Sequence, residues 1–513
     1  ALCTREGLRS VLRAAGGALG AALVGGPLFM RLVFERMYAS VGLLEPTARQ
    51  LAEEDQDANP LYRAVPSLRG KFSWRQLGDF PTPVHRFSCQ VPGQGGEETV
   101  EFWVKREDLS SPRYGGNKVR TLQYQLAAYE AHVERLGQLG LSARLVTLGS
   151  AGSNQVVATK AHAAFLPLAS GSVEGLAPMP DEPEMDNTLN FLSSLSLPGV
   201  QGAFGGGGGR VLQGLGLLPA GRGAAPSWVM MPGGNGPLGV LGQAGAALEL
   251  AEQVARGELP DPDGIVLALG SGCTVTGLVL GVALARAVGL QAFRRPGFRI
   301  HAQTVHPGAA RLQRLLGALT SQSWPMSIGR GVRETAALIA SRGGPDVSES
   351  ALRVMKQELV ISTDAAITGK YGAHSAESQR AKEAYDRSAR PPPGAPPLWL
   401  CGHFTAKSFA LLLKLLGQGR PAQPEQRPAL LFWQSKSAVQ PLGPLDEWAA
   451  FQEQRRKRPA LAKWGVVGGA TGHASGGPAA ERPVAAPEDY RALMTPLELP
   501  KAAAPAAAGP GPG

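Results

Sequence analysis

The chain has 513 residues, a formal net charge of +10, four cysteines, 67 glycines and 42 prolines. That length accommodates two or more domains with cores of their own, and the wide separation of Cys3, Cys89, Cys273 and Cys401, with no CxxC pair, speaks against a disulfide scaffold or a cysteine zinc site and for a reducing compartment. The positive charge is scattered apart from Arg455-Arg456-Lys457-Arg458, a pattern that fits a solvated face, so nucleic acid is not an expected partner.

Arg5, Arg9 and Arg13 fall on one helical face, the apolar stretch 14–30 follows, and acids are nearly absent before Glu35. This is the pattern of an organellar transit or anchoring segment, with a buried or interfacial helix as the plainer alternative. Opening on Ala1, the chain reads as a processed form whose amino end contacts a membrane through residues 1–38 or docks on a partner. Residues 61–87 read as an irregular approach limited by Pro81 and Pro83.

A strand over 100–105 leads into Lys105-Arg106-Glu107-Asp108-Leu109 and then Tyr114-Gly115-Gly116-Asn117-Lys118-Val119-Arg120. A lysine that attacks a carbonyl must be partly desolvated, and it needs backbone that lets a planar group come near. Gly115 and Gly116 offer that clearance, and Asn117 offers a donor beside Lys118. A polar turn with a snorkelling lysine is the plain alternative. The amphipathic spacing of Leu122, Leu126, Tyr129 and Val133 predicts a helix over 121–136.

A short apolar strand, 144–148, precedes Gly149-Ser150-Ala151-Gly152-Ser153-Asn154-Gln155 and a helix over 156–165. This order puts Ser153 and Asn154 at a helix amino end, either as an anion site or as an ordinary serine cap. Residues 178–195 read as a loop entering a helix near Asp186, and Gly205 to Gly209 as a flexible surface insertion. Met230-Met231-Pro232-Gly233-Gly234-Asn235 enters a helix over 238–256. The apolar strand 265–269 is followed by Gly270-Ser271-Gly272-Cys273-Thr274 and by a helix over 275–288 that is apolar all round and therefore buried. Such a loop can cradle a phosphate in backbone amides and the Ser271 and Thr274 hydroxyls. It is neither GxGxxG nor GxxxxGK[ST], so the dinucleotide and P-loop fingerprints both fail.

A strand over 299–305 places His301 and His306 on opposite faces, a poor metal pair. Tyr371 stands in a glycine-flanked loop before a helix over 375–387; Pro391 to Pro397 is a spacer; His403-Phe404-Thr405-Ala406-Lys407 opens a helix over 408–416. The strand 429–433 ends in Gln434-Ser435-Lys436-Ser437, and from about Val467 the Ala/Gly/Pro-rich tail reads as disordered. Alternating strands and helices imply an α/β protein with largely parallel sheets.

Taken in order, KREDL…YGGNKVR, GSAGSNQ, PGGNGPLG, LGSGCTVTGL, the Tyr371 loop, HFTAKSFALLLKLL and LLFWQSK resemble the pyridoxal-phosphate enzymes of the tryptophan synthase β-subunit fold. Within that group they are similar to the branch of D-cysteine desulfhydrase and 1-aminocyclopropane-1-carboxylate deaminase, from about Phe80 to Ser437. The resemblance implies a two-domain fold type II enzyme: residues 61–120 and 240–440 as the large cofactor-binding domain, 121–239 as the small domain, flanked by extensions 1–60 and 441–513. It implies pyridoxal 5'-phosphate as cofactor, held by Lys118, with Asn117 and Asn154 around its ring and phenolic oxygen. Gly270, Ser271, Gly272, Cys273 and Thr274 would form its phosphate cradle, and Ser435 would approach its pyridine nitrogen. Ser153 and Tyr371 would face substrate beside the catalytic Lys118, and no metal is implied. The expected partners are a small amino-acid substrate and a second copy of the chain or a larger complex.

Departures from the family pattern are Thr121 in place of a base near the phosphate, Ala373-His374-Ser375 after the tyrosine-glycine loop, Ser435-Lys436 after the last strand, and Cys273 within the phosphate loop. The expected activity is a lyase or deaminase that releases keto acid, ammonia and sulfide from D-cysteine or an analogue. The alternative is a catalytically faded member serving as a structural subunit of an organellar assembly, the mitochondrion being favoured over the chloroplast.

Overall fold

The structure is a computed structural model that describes residues 32, 35, 45–93, 96–150, 152–168, 171–176, 184–202, 227–323, 326–417, 428–444 and 493–500. The expected amino-terminal anchor up to residue 38 apart from residues 32 and 35, the Gly205 to Gly209 insertion and nearly all of the low-complexity tail lie outside the described residues. Among the described residues no helix is long and apolar enough to cross a membrane.

In chain order the strands are β1 (Val84–Gly93), β2 (Gly96–Lys105), β3 (Ala143–Leu148), β4 (Gly171–Leu176), β5 (Val200–Gly202), β6 (Ser227–Met230), β7 (Gly264–Leu269), β8 (Arg299–Thr304), β9 (Leu359–Ser362), β10 (Leu430–Trp433), β11 (Pro441–Leu442) and β12 (Thr495–Pro496). Six of them form one sheet in the order β1-β2-β10-β7-β8-β9, and four form another in the order β5-β4-β3-β6. Apart from the antiparallel β1–β2 pair, every pairing in the two sheets is parallel. The α/β architecture with largely parallel sheets is therefore present.

The reason lies in the strand sequences. β7 is apolar along its length and covered on both faces, as a central parallel strand must be. β2 instead buries Val100, Phe102 and Val104 while exposing Glu101, the alternation of a strand with one wet face. Behind the large sheet the helices Pro237–Ala255 and Cys273–Ala287 bury nearly every side chain. They approach closely because Gly277 and Gly281 carry no side chain: a Cβ there would lie 2.2 Å from the Gln243 Cβ and 2.5 Å from the Ala247 Cβ. Leu278 and Val282, fully buried at this contact, each contribute about 1.5–3 kcal/mol by leaving water.

Two expectations are corrected. The approach segment is not irregular throughout: the helix Pro60–Ala64 begins with proline at its first position and Asn59 as cap, and β1 starts at Val84. Phe87, Cys89 and Val91 alternate inward on β1, held in register by the hairpin with β2. The helix expected to begin after the lysine loop begins at Lys118 itself and runs to Gly137, with Asn117 at the cap position.

Candidate active site

In a parallel sheet the chain leaves each strand at the same edge, so the loops after successive strands gather there. The loop after β2 carries residues 106–117, that after β7 carries 270–272, and that after β10 carries 434–437; from the smaller sheet come 149–153 after β3 and 231–236 after β6.

Lys118 occupies the first position of its helix, and its amine donates to the Gly233 carbonyl at 3.0 Å. Burial lowers its pKa from the ordinary lysine value, the nearby Cys273 thiol opposing the shift. Gly233 is left-handed at φ +67, and a Cβ on it would lie 2.3 Å from the Ser271 hydroxyl and 3.4 Å from the Lys118 amine. Ser271 and Lys118 thus flank one glycine. Gly116, at φ +89, passes so close to the last loop that a Cβ would stand 2.5 Å from the Ser435 carbonyl. That carbonyl accepts the Asn117 amide at 3.3 Å, which places Ser435 beside Lys118.

The 270–272 loop opens the helix Cys273–Ala287 with Gly272 left-handed at the cap and no side chain satisfying the first amides. Asn117 donates its Nδ2 to the Thr274 hydroxyl at 2.7 Å, leaving the hydroxyl proton free to donate elsewhere. Cys273 does not face outward: it is 1% exposed, its thiol donates to the Gly234 carbonyl at 3.6 Å, and burial raises its pKa. Gln243 secures this side by donating to the Asn117 carbonyl at 2.6 Å and the Thr121 hydroxyl at 2.9 Å.

From the smaller sheet, Ser153 caps the helix Asn154–Ala163 without a side-chain cap bond. The Asn154 Oδ1 accepts from the Tyr114 hydroxyl at 2.7 Å and from the Asn190 amide at 2.6 Å. Its Nδ2 is the end left for a ligand. Tyr371 is hydrogen-bonded to Ser150, and burial holds its phenol protonated above the usual tyrosine range. Its ring meets His403 edge-on at 4.3 Å and His306 at 5.0 Å. His403 stacks on Phe404 at 4.0 Å, and Phe404 lies 3.1 Å from where a Gly270 Cβ would be, which closes a circuit from the phosphate loop to Tyr371. Burial pushes His403 down to about 3, so its Nε2, which has no protein partner, is an acceptor at neutral pH. Lys407, pushed down to about 8 by burial, donates to the Lys370 carbonyl at 2.6 Å.

Behind the lysine lies a cluster of buried charges. Arg120 bonds both Glu107 and Glu249, and Lys105 donates to Glu249 at 2.6 Å, to Gln253 at 2.5 Å and to the Thr82 carbonyl at 2.8 Å. Arg106 pairs with Asp108 at 2.7 Å, and none of these six charged groups is more than 1% exposed. Arg120 and Lys105 hold the Glu249 carboxyl well below the usual range despite its burial.

The expected site residues lie on these loops or at the helix starts that follow them, except Tyr371, which comes after the helix Ala365–Thr368 and meets the loop after β3 through Ser150; the Cys273 side chain turns inward. Sequence reasoning did not assign roles to Tyr114, Asn190, Gln243, His403 or Lys436. For Tyr114 a signal existed in its place beside the glycine pair; Asn190 and Gln243 sit within helices whose patterns mark only burial.

No protein-family model matches the chain. Over 215 residues it is 29% identical to the bifunctional D-cysteine desulfhydrase/1-aminocyclopropane-1-carboxylate deaminase, mitochondrial, of Arabidopsis thaliana, covering 40% of this chain and 50% of that protein. It is 31% identical over 224 residues to the D-cysteine desulfhydrase of Salmonella choleraesuis, covering 41% of this chain and 61% of that one. Among solved structures it is similar to an ACC deaminase homologue at 19% identity and a TM-score of 0.47, over 77% of this chain and 98% of that one. The matches thus span about half to three-fifths of the length of these two curated relatives. In sequence, the chain is similar to the D-cysteine desulfhydrase and 1-aminocyclopropane-1-carboxylate deaminase family whose motifs it carries.

Proposed function

We propose that the chain is a pyridoxal-phosphate-dependent lyase or deaminase of a small amino acid, in the manner of a D-cysteine desulfhydrase. The observation that carries this reading is Lys118: a half-buried amine, held below its ordinary pKa, at the head of a helix and across Gly233 from Ser271. The residues present suit the cofactor. A helix amino end with uncapped amides fits a phosphate, Asn154 keeps an amide donor unspent, and Ser435 stands beside the lysine with no side-chain bond among the described residues.

When bound, the cofactor supplies an electron sink for the bond-breaking step. The chain supplies the rest. Lys118 Nζ takes and returns a proton, its burial having lowered its pKa from the ordinary lysine value. Thr274 and the 273–287 helix end would hold the phosphate, and Ser153 with the 154–163 helix end would receive a carboxylate. Tyr371 is a phenol donor steadied by Ser150 and His403. Ser435 would offer the pyridine nitrogen a neutral hydroxyl, which would favour β-elimination.

The uncapped 273–287 helix end and the spare Asn154 amide support this reading over a faded scaffold, because a structural remnant has no use for polar groups left with a bond to make. The test is absorbance of the cofactor-loaded protein before and after borohydride, with Lys118→Ala alongside. The expected result is a visible band fixed on Lys118 in the wild type and absent in the variant, with keto acid released from D-cysteine, D-serine or aminocyclopropane carboxylate. A wild-type protein that takes up no cofactor overturns the reading.

The same proposal includes a homodimer and an organellar location, the mitochondrion before the chloroplast. The location rests on the basic, acid-poor stretch 1–34 and on the word 'mitochondrial' in the Arabidopsis protein's name. A reporter fused to residues 1–60 that stays in the cytosol would count against the location, and sedimentation decides the oligomer.

A further inference from the structure

Lys436 is a lysine in an unusual place. It is 1% exposed, yet no carboxylate lies within ion-pairing distance among the described residues. Its ammonium instead meets three neutral acceptors, the Gln440 Oε1 at 3.0 Å, the Asn190 Oδ1 at 3.2 Å and the Tyr114 hydroxyl at 3.4 Å. The Trp399 and Tyr114 rings stand 5.1 and 5.2 Å away, which suits a cation. Burial lowers its pKa while Cys401 and Asp186 oppose the shift. Asp186 itself is bound to the Trp399 indole at 2.5 Å and the Gly402 amide at 3.1 Å.

Donor and acceptor roles propagate from this ammonium in one direction. An ammonium only donates, so it requires the oxygen end of Asn190. The Gly152 carbonyl only accepts, so it requires the nitrogen end of Asn190, at 2.9 Å. Asn190 is fixed from both sides, and its Nδ2 must then meet the oxygen of Asn154. The Tyr114 hydroxyl oxygen accepts from Lys436, and its own proton has two acceptors, Asn154 Oδ1 at 2.7 Å and Asn190 Oδ1 at 3.0 Å; the ammonium already bound to Asn190 Oδ1 favours the shorter bond to Asn154. The Asn190 bond obliges Asn154 to present its Nδ2 outward, and the Tyr114 bond reinforces it.

Resting on the functional reading above, we propose that Lys436 is a positioning residue: through Tyr114 and Asn190 it holds the Asn154 amide with its donor end toward the cofactor. A donor facing the phenolic oxygen of the cofactor stabilises its anion. Without the ammonium, Asn190 Oδ1 is left for the Tyr114 proton, and Asn154 loses one of the two contacts that fix its sense.

The test uses the full chain loaded with pyridoxal phosphate, as wild type, Lys436→Met, Tyr114→Phe and the double variant. Cofactor affinity is read from quenching of tryptophan fluorescence, and the pH midpoint of the visible absorbance is read on the bound form. Each single variant is expected to bind about tenfold more weakly, with the midpoint raised by about one unit. The double variant should be no weaker than either single one, since both break the same chain of bonds. Wild-type affinity and midpoint in Lys436→Met, or losses that multiply in the double variant, overturn the inference. Should Lys436→Met fail to fold, Tyr114→Phe decides: an unchanged affinity and midpoint overturn it equally. Failure of the wild type to bind any cofactor is a separate result that removes the functional reading beneath it.

Discussion

Lys118 and Arg120 are two residues apart on one helix and serve opposite surroundings. Residues at that spacing do not share a face, and here the difference is total. Arg120 turns into a closed set of charges in which Glu107, Glu249 and Lys105 satisfy one another. Lys118 turns toward groups that the chain leaves incomplete: its own amine on a lone carbonyl, the uncapped 273–287 helix end, and the spare amide of Asn154. Buried charges that hold a backbone in place are complete without a ligand, whereas polar groups that handle one are left with a bond to make. The stretch 105–120 combines both kinds, with Arg120 in the paired charges and Lys118 among the open groups.

That contrast can be broken most severely from behind. Glu249→Gln leaves Lys105 and Arg120 short of a counter-charge in a dry site, and urea denaturation should show a loss of about 3–5 kcal/mol. An unchanged midpoint would mean that the cluster is not what holds the helix start. Gly116→Ala is expected to follow at about 1–3 kcal/mol, because its φ of +89 and the Ser435 carbonyl both oppose a side chain. Loss of cofactor uptake should accompany it.

Acid sharpens the comparison further. His403 and His162 are pushed down by burial to about 3 and about 4, from 6.5. Between those values and 6.5 the unfolded chain binds the extra protons, so stability is full above pH 6.5 and falls as the pH drops toward 4. A melting series over that range should show the decline, and His403→Gln should make it shallower in its lower half. The smallest effect belongs to the front: Ser435→Ala should alter stability by no more than about 0.5 kcal/mol, measured by the same denaturation, while weakening retention of the cofactor on dialysis.

How far the sequence reveals this arrangement depends on the kind of signal each residue leaves. The strands β7 and β10, the helix at Asn154 and the glycine-rich loops are local patterns, and they lie where the pattern puts them. β1 was masked by the prolines before it and by a polar outer face, although Phe87, Cys89 and Val91 keep the period of two. The start of the lysine helix was placed late because Asn117 and Lys118 look like loop residues until their partners, Thr274 and Gly233, are brought to them. The same holds for Lys436: only the fold reveals that a lysine after the last strand ends between Tyr114 and Trp399 rather than in water.

Cys273 carries a different consequence. Its thiol lies beneath the lysine, sealed by Gly234 and Thr121, in a chain whose other described cysteines, Cys89 and Cys401, are buried as well. An alkylating reagent can reach it only when the lysine helix and the phosphate loop part, so the labelling rate of Cys273 is a clock for the opening of the site, readable without substrate, product or chromophore.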